Sequence, residues 1–196
     1  MARTVGSHGS KTETAIMEAA IELIAVHGFE AVTLRDLAAH AGIQAGSLYR
    51  YYASKTDLLS SIMAAHMQDL LSHWNEQNVP SEPAPARLHR FIEFHVRYHS
   101  RKQREVLIAN MEIRSLTPDD RIKVTAMRRE YEGILRDILQ AGADAGLFHI
   151  PDTRVATFAI LAMLTGLTAW YQERGRLSKA ELVSCYESLI MKGVSA

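Results

Sequence analysis

Residues 34–52 of the chain read LRDLAAHAGIQAGSLYRYY, and this stretch decides the fold of the first part of the chain. Two short helical segments are separated by Gly42, which can take the left-handed backbone conformation of a tight turn at little steric cost. Ala38, four residues earlier, is small where a second helix has to cross closely. This order of residue types is typical of a helix-turn-helix.

The second segment, residues 44–52, has an apolar side and a polar side. At helical spacing, Ile43 and Leu48 point into a small core. The outer side then carries Gln44, Ala45, Ser47 and Arg50, a set that includes the side chains that read base edges in a major groove. Any pair of amphipathic helices could show this generic pattern. The pattern alone therefore does not decide whether the two helices bind DNA or only pack against each other.

Helix start and stop signals recur along the whole chain. In a capping box, a Ser or Thr is followed three residues later by an acidic side chain, and each side chain binds the other residue's backbone N–H. Such boxes occur at Ser10/Glu13, Thr33/Asp36, Ser54/Asp57 and Ser178/Glu181. Gly28 is a stop signal for the first helix, and Pro118 suits the first position of a later one.

Residues 78–85 hold three of the five prolines and predict a linker. No run of β-branched residues alternates between apolar and polar positions, as a strand would require. We therefore predict an all-α chain of about nine helices. Its N-terminal part is a three-helix helix-turn-helix domain, and a C-terminal helical bundle follows.

The composition is that of an ordinary globular protein, with 47% hydrophobic and 22% charged residues among 196. Lys+Arg and Asp+Glu both number 22, so the net charge is zero, and the first 60 residues carry a net charge of −1. Any contact with DNA therefore has to come from local geometry rather than from bulk charge. The single cysteine, Cys185, excludes an internal disulfide and a Cys-rich zinc site.

Two segments of the sequence indicate where in the cell the protein is located. The first residues, MARTVGSHGSK, lack the apolar stretch of a secretory signal, which indicates a cytoplasmic protein. Residues 155–172 carry no charge and approach the minimum length of a membrane span. Since they are rich in Ala, Gly and Thr, we expect a buried helix of a bundle or dimer there and no membrane span.

A wider block, residues 12–59, resembles the DNA-binding domain of the tetracycline-repressor (TetR) family of bacterial regulators. The matching residues are Ala19-Ala20, Gly28-Phe29, residues 33–38, Ala41-Gly42-Ile43, residues 46–49, Tyr51-Tyr52 and Ser54-Lys55. The chain departs from the family pattern at four positions. Ile24 stands where an aromatic residue is common, Gln44 and Ala45 where Ser and Lys are common, and Arg50 where His is frequent.

The resemblance implies DNA contacts for the exposed positions of this block. Ser47, Tyr49, Tyr51 and Lys55 would hydrogen-bond phosphates, and Lys55 stands at a helix N-terminus, whose dipole also favours an anion. Gln44 would read adenine and Arg50 guanine, with Arg35 as a second reader of guanine. The predicted DNA-contacting residues are Thr33, Arg35, Gln44, Ala45, Gly46, Ser47, Tyr49, Arg50, Tyr51 and Lys55.

Other roles remain open for some of these residues. Arg35 can pair with a nearby carboxylate instead, and Tyr51 or Tyr52 can belong to the core. By the resemblance, residues 1–55 form the DNA-binding domain, with an arm at residues 1–9, and residues 56–196 bind a ligand and dimerise. Arg3 and Lys11 are candidates for contacts of this arm with phosphates or with the minor groove.

The uncharged helix of residues 155–172 places small residues at three- and four-residue spacing, which lets a partner helix approach closely. Together with the last helix it is predicted to form a four-helix interface of a homodimer across a two-fold axis. The predicted interface residues are Ala159, Ala162, Gly166, Ala169, Trp170, Leu182, Tyr186 and Leu189. A core within one protomer would explain the same residues.

Methionine and aromatic residues recur on several helices after residue 60, and methionine suits an adaptable apolar cavity. The predicted effector pocket consists of Met63, His66, Met67, Phe91, Phe94, His95, Tyr98, Leu107, Asn110, Met111, Arg114, Met127 and Tyr131. Plain core filling is the alternative for any one of them.

A looser resemblance concerns the effector. Glu112-Ile113-Arg114-Ser115-Leu116, Tyr131, Gly146-Leu147-Phe148 and residues 166–171 look like one subset of the family. That subset consists of regulators of fatty-acid, steroid or aromatic-acid breakdown that respond to acyl-CoA thioesters. The basic residues Arg90, Arg97, Arg101, Lys102 and Arg104 could bind the phosphates of such a ligand, or they could form a solvated surface.

Two other classes of function compete with this interpretation. His95 and His99 lie one helical turn apart and could bind a transition metal with Glu112 or His66, as in a metal-responsive regulator. A helical enzyme, or a binding protein without DNA activity, is less well supported, because G-x-S-x-G, P-loop and H-E-x-x-H motifs are absent. The sequence predicts a DNA-binding regulator, a repressor that a small effector releases from operator DNA, with no cofactor and no metal.

Overall fold

The computed structural model of the chain describes residues 7–194. Within this range the structure contains nine α-helices and no β-strand, which confirms the all-α prediction. The helices are α1 (Ser7–His27), α2 (Leu34–His40), α3 (Ala45–Leu48), α4 (Lys55–Gln77), α5 (Ala84–Arg101), α6 (Gln103–Met111), α7 (Pro118–Asp144), α8 (Thr153–Thr165) and α9 (Lys179–Val194). Two short 3₁₀ turns, Ile113–Ser115 and Gly166–Ala169, follow α6 and α8.

The described residues fall into two compact units. The first unit contains the residues up to His66 together with Arg104–Val124. The second unit contains Met67–Gln103 together with the residues from Thr125 onward. Helices α4 and α7 therefore contribute residues to both units, and the predicted functional division after residue 55 stays a prediction.

Helix α1 begins earlier than its capping pattern indicates. Since the helix starts at Ser7, Ser10 lies inside it, and the Ser10 carbonyl accepts a hydrogen bond from the Thr14 hydroxyl at 3.0 Å. Residues 7–9 of the predicted arm are therefore helical, whereas Arg3 lies outside the described residues. The helix ends at His27, as predicted, and Gly28 follows with a φ of +80°.

The helix-turn-helix forms where the local signals predict it. The capping box of α2 is complete: the Asp36 N–H donates to the Thr33 hydroxyl at 3.2 Å, and the Thr33 N–H donates to the Asp36 carboxylate at 2.9 Å. The Thr33 hydroxyl also donates to the Asp36 carboxylate at 2.6 Å, and this bond, followed by the one from the Thr33 N–H, lowers the pKa of Asp36. Gly42 has a φ of +68° in the turn, and Leu37 and Leu48 are buried between the helices.

Helix α3 is shorter than predicted. The pattern predicts a helix over residues 44–52, whereas only Ala45–Leu48 is α-helical. The chain then continues in tighter turns, in which the N–H of Arg50 donates to the carbonyl of Ser47 and that of Tyr51 to the carbonyl of Leu48. Gly46 and the three tyrosines favour a helix only weakly, which accounts for the difference.

The second unit is built on α5, which packs against α8 and α9. Helix α5 begins at Ala84 after Pro83, so the predicted linker at residues 78–85 ends two residues early. Trp74, Phe91, Ile92, Leu135 and Leu164 are fully buried in this unit.

Helix α8 also ends before its predicted limit. The α-helix stops at Thr165, and Gly166–Ala169 forms a 3₁₀ turn, so Ala169 and Trp170 lie beyond the helix that was expected to carry them. The Thr168 hydroxyl donates to the carbonyl of Thr165 at 2.9 Å, which favours the tighter turn. Among residues 7–194, no helix is both long and apolar enough to cross a membrane.

Candidate functional site

Four exposed side chains in and beside α2 and α3 form what we call the reading surface: Arg35 in α2, Gln44 just before α3, and Tyr49 and Arg50 just after it. Tyr49 is 59% exposed although it is a large aromatic residue. Within the described part of the chain, neither Arg35 nor Arg50 forms an ion pair with a carboxylate. The reading surface therefore presents two guanidinium groups that have no carboxylate partner among residues 9–194, together with an exposed aromatic hydroxyl.

The reading surface is held from behind by buried apolar residues. Leu48, the last residue of α3, is fully buried, and so are Leu37 and Ala38 of α2. Gln44 is the N-cap residue of α3, but its side chain makes no capping hydrogen bond. Its amide is therefore exposed and not engaged with the helix that it precedes, and its predicted contact with adenine stays a prediction.

The other predicted DNA contacts lie in different surroundings. Ala45 and Gly46 are exposed, whereas Ser47 and Tyr51 are half-buried. Thr33 is exposed, but its hydroxyl already caps α2. Tyr52 is buried, and this burial, with Glu13 nearby, raises the pKa of its hydroxyl, so Tyr52 belongs to the core.

Lys55, a predicted phosphate contact, has protein partners in the structure. Its ammonium group donates to the carbonyl of Phe29 at 2.8 Å and to the carbonyl of Val32 at 3.0 Å. The same nitrogen lies 4.1 Å from the centre of the Phe29 ring. Two of its three N–H groups are thus used inside the protein, a role that the sequence pattern did not indicate.

A cluster of rings fills the second unit and includes several of the predicted effector residues. Phe91 lies 5.2 Å from both Trp74 and Tyr131 between ring centres, and Phe94 lies 5.6 Å from Tyr98. The Tyr98 hydroxyl donates to the carboxylate of Asp69 at 2.7 Å. We call Met67, Phe91, Phe94, His95, Tyr98 and Tyr131, all buried, the aromatic cluster; Met127 is half-buried.

His95 supplies a polar centre to the aromatic cluster. Its Nδ1 is hydrogen-bonded to the Tyr131 hydroxyl at 3.1 Å, and its Nε2 to the Thr165 hydroxyl at 3.2 Å. The His99 ring stacks on the His95 ring at 3.6 Å. Burial, reinforced by His99, holds the pKa of His95 well below its usual value, and burial raises the pKa of Tyr131 well above its usual value. Both groups are therefore neutral at neutral pH.

The remaining predicted pocket residues do not join this cluster. Leu107, Asn110, Met111 and Arg114 are exposed, with Met111 at 69%. Leu107 and Met111 line a small cleft together with Ile24 and Ala25 of the first unit. Met63 and His66 are buried within the first unit. The structure therefore does not bring all thirteen residues together, and their assignment to one effector pocket stays a prediction.

The basic residues of α5 and α6 do not form a free cationic cluster. Arg90 binds the Glu82 carboxylate with two N–H groups, Arg97 pairs with Glu93 at 2.8 Å, and Arg104 lies 3.7 Å from Glu22. A cleft that the sequence did not indicate contains three arginines, of which Arg136 lies 3.8 Å from the carboxylate of Asp137. It has a volume of about 460 Å³ and is lined by Arg129, Glu132, Arg136, Arg154, Thr157 and Phe158. We call it the arginine cleft.

The predicted dimer residues separate into two groups. Ala159, Ala162, Gly166, Ala169, Trp170 and Leu189 are exposed, and Trp170 and Leu189 are 54% and 62% accessible. Leu182 and Tyr186 are buried in the protomer, on a helix that packs against α5, and their assignment to the interface stays a prediction. Phe158 and Met163 add to the exposed apolar side of α8.

A metal site has no support in the described side chains. No group of three or more His, Cys, Asp or Glu residues between residues 9 and 194 is placed to hold an ion. The pair that suggested such a site is engaged elsewhere, since both ring nitrogens of His95 have hydroxyl partners and Nδ1 of His99 is bonded to the carbonyl of His95.

Comparison with known proteins bears on both parts of the chain. Residues 16–62 match the family model "Bacterial regulatory proteins, tetR family", and residues 81–194 match the model "Tetracyclin repressor-like, C-terminal domain". The chain is 25% identical over 195 residues to the HTH-type transcriptional repressor KstR2 of Rhodococcus jostii, an alignment that covers 98% of this chain and 95% of that protein.

Two solved structures show the same architecture. One is a bacterial regulatory protein of the tetR family from Rhodococcus RHA1, with 27% identity, a TM-score of 0.89 and coverage of 94% of this chain and 97% of that one. The other is AibR in complex with isovaleryl coenzyme A and operator DNA, with 24% identity, a TM-score of 0.81 and coverage of 91% and 97%. The chain belongs to the TetR family of bacterial transcriptional regulators, which are DNA-binding proteins and not enzymes.

Proposed function

We propose that the chain is a homodimeric repressor that places residues 44–52 of each protomer in a major groove of operator DNA and leaves the operator when it binds an acyl-CoA thioester. The observation that carries the proposal is the reading surface. Its guanidinium, amide and phenol groups are exposed, while Leu48 behind them is fully buried. A protein that acts on operator DNA in a bacterium works in the cytoplasm.

The contacts with DNA follow from the chemistry of the reading surface. Arg50 and Arg35 suit the O6 and N7 acceptors of guanine, and Gln44 suits adenine. Tyr49, Tyr51 and Ser47 carry hydroxyls that suit phosphate oxygens and would fix the register of the protein on the duplex. Because the first 60 residues carry no excess of positive charge, we expect specific contacts to supply more of the affinity than nonspecific attraction does.

Dimerisation would come from the exposed apolar sides of α8 and α9. Ala159, Ala162 and Gly166 leave room for a close helix, and Leu189 and Trp170 add apolar area that solvent otherwise covers. Two copies related by a two-fold axis would present two reading surfaces to half-sites separated by roughly 34–36 Å or a wider multiple.

The effector class is inferred from the second unit. The aromatic cluster includes Met67, and an adaptable methionine and ring surface suits an acyl chain. The arginine cleft offers the guanidinium groups of Arg129 and Arg154 to phosphates, and Phe158 offers a ring face beside Arg154. The complex of AibR with isovaleryl coenzyme A and operator DNA supports the same class of effector.

The release mechanism needs only a difference in affinity between two dimer states. An effector that binds better to a dimer whose reading surfaces no longer match the half-sites shifts the population toward that dimer. By reciprocity, operator DNA then weakens effector binding by the same factor.

Fluorescence anisotropy tests the proposal. The purified protein is titrated into labelled DNA from upstream of its own gene, across salt concentrations, with isovaleryl coenzyme A, longer acyl-CoA thioesters, free coenzyme A or the free acids. We expect salt-sensitive binding that a thioester reverses and the free acids do not. Binding that no thioester reverses would reject the effector class and keep the DNA-binding function. If sites selected from random DNA also fail to bind, DNA recognition by the reading surface is rejected.

A further inference from the structure

Phe29 lies in the turn between α1 and α2, and the turn leads directly into α2, which carries Arg35 of the reading surface. The Phe29 ring is buried, and so is Val32, three residues later. Helix α2 begins at Leu34, so a change in the path of this turn changes where Arg35 and the following α3 stand. The conformation of this turn therefore determines the orientation of the helix-turn-helix within the first unit.

The backbone of Phe29 is bound from two directions. Its N–H donates to Oε1 of Glu112 at 3.0 Å, across 83 residues of chain. Its carbonyl accepts from the Lys55 ammonium at 2.8 Å, and the same ammonium lies 4.1 Å above the ring. The peptide groups on both sides of one residue are therefore fixed by charged side chains from two other parts of the first unit.

Glu112 is itself held at the end of α6. Its N–H donates to the carbonyl of Ile108 at 2.9 Å, and its second carboxylate oxygen accepts from the Ser115 hydroxyl at 3.3 Å. Beside it lies a cleft of about 180 Å³, lined by Ile24, Ala25, Gly28, Leu107, Ile108, Met111 and Glu112 itself. The carboxylate is thus attached to α6 and borders open space, so a small shift of α6 would move it away from the Phe29 N–H.

We propose that Glu112 is the positioning residue that holds the α1–α2 turn in its DNA-binding conformation through the hydrogen bond to the Phe29 N–H. Loss of this bond lowers DNA affinity. The inference rests on the proposed DNA-binding function and adds the residue through which segment Arg104–Val124 controls the reading surface. Without the bond, a part-buried N–H loses its acceptor and the turn is no longer pre-organised.

Two substitutions of Glu112 by side chains of similar length distinguish the effect of the hydrogen bond from the effect of the charge. Glu112→Gln keeps an oxygen that can accept from the Phe29 N–H, whereas Glu112→Met keeps the length and replaces both oxygens by a weakly accepting thioether. Ser115→Ala is the control in the same segment, since it removes only the contact to the second carboxylate oxygen. Operator affinity is measured by anisotropy in the absence of effector, and amide hydrogen exchange of Phe29 is measured on the free protein.

We expect Glu112→Met to weaken operator binding roughly tenfold and to speed exchange of the Phe29 amide, with little change at Leu58 or Leu59. Glu112→Gln and Ser115→Ala should stay within about twofold of wild type. Faster exchange of the Phe29 amide with unchanged operator binding would overturn the inference. So would equal weakening by Gln and Met, since the charge and not the acceptor would then matter.

Failure of the proposed function gives a different result, because wild type itself would then bind no operator. If Glu112→Met does not fold at the assay temperature, judged by its circular dichroism, Glu112→Ala replaces it in the same comparison with Glu112→Gln. Equal affinities of Ala and Gln variants would again overturn the role of the hydrogen bond.

Discussion

The Nδ1 atom of His95 lies 3.1 Å from the hydroxyl oxygen of Tyr131, and Nε2 of the same ring lies 3.2 Å from the hydroxyl of Thr165. A neutral imidazole donates from one nitrogen and accepts at the other, so two hydroxyl partners satisfy it. Protonation would convert the accepting nitrogen into a donor inside a buried cluster. Burial of the ring, and next the neighbouring His99, depress the pKa of His95, which agrees with this neutral arrangement.

Stability should therefore fall in acid partly because of His95. Below about pH 6.5 the unfolded chain protonates this histidine while the folded chain does not, so the free energy of unfolding decreases as pH falls. For one proton the slope approaches about 1.4 kcal/mol per pH unit. Urea unfolding at pH 7.5, 6.5 and 5.5 should show a smaller acid loss for His95→Gln than for wild type. The same change at exposed His149 is the control, and an equal acid loss in both variants would contradict the assignment.

Arg50 and Tyr49 should differ in what they contribute to DNA binding. Arg50→Ala should relax preference at one base pair, at a cost of about 1–3 kcal/mol for the preferred operator. Tyr49→Ala should weaken binding to all DNA sequences alike, because a phosphate contact carries no sequence information. Anisotropy on a set of single-base operator variants distinguishes the two. Equal weakening on every variant by Arg50→Ala would show that Arg50 does not read a base.

Gly166 should control dimerisation without affecting the fold of the protomer. A Cβ atom placed on Gly166 meets no other atom within 4 Å, so the protomer has room for a larger side chain. Gly166→Leu should nevertheless give monomers, since it blocks the close approach of a second α8. Sedimentation velocity measures the change, with Ala141→Leu on the exposed side of α7 as the control. A dimeric Gly166→Leu protein would place the interface elsewhere.

Two glycines of α7 should respond in opposite ways to alanine. A Cβ on Gly142 would overlap the ring of Phe148, which is buried, so Gly142→Ala should destabilise the protein by about 1–3 kcal/mol. At Gly133 the nearest atom to such a Cβ is a guanidinium nitrogen of Arg136 at 3.6 Å. Gly133→Ala should stabilise by about 0.5–1 kcal/mol through helix propensity. Urea midpoints give both values, and a neutral Gly142→Ala would mean that Phe148 repacks without cost.

Features that depend on neighbouring residues could be predicted from the sequence. The capping box of Thr33 and Asp36 and the turn at Gly42 follow from local hydrogen bonding and backbone freedom, and both form as predicted. The resemblance of residues 12–59 to the TetR family also predicted the family, and the match of residues 16–62 to the tetR family model confirms it.

Features that depend on tertiary packing could not be predicted. Met111 and Tyr131 look alike as pocket residues, yet one is exposed and the other buried, because the direction of α6 is set by distant contacts. The ammonium group of Lys55 reaches carbonyls 23 and 26 residues away, which no spacing rule indicates. Leu182 and Tyr186 point into the protomer for the same reason: helical periodicity defines a face but does not say what covers it.

The side chains of the reading surface are separate from the buried core, and this has a consequence for how such a regulator changes over evolutionary time. Arg35, Gln44 and Arg50 are not needed to hold the protein together, since the burial of Leu37 and Leu48 does that. Substitutions at the three exposed positions should leave folding almost unaffected while altering which bases are bound. After gene duplication, a copy could therefore acquire a new operator one residue at a time, without first needing compensating changes in its core.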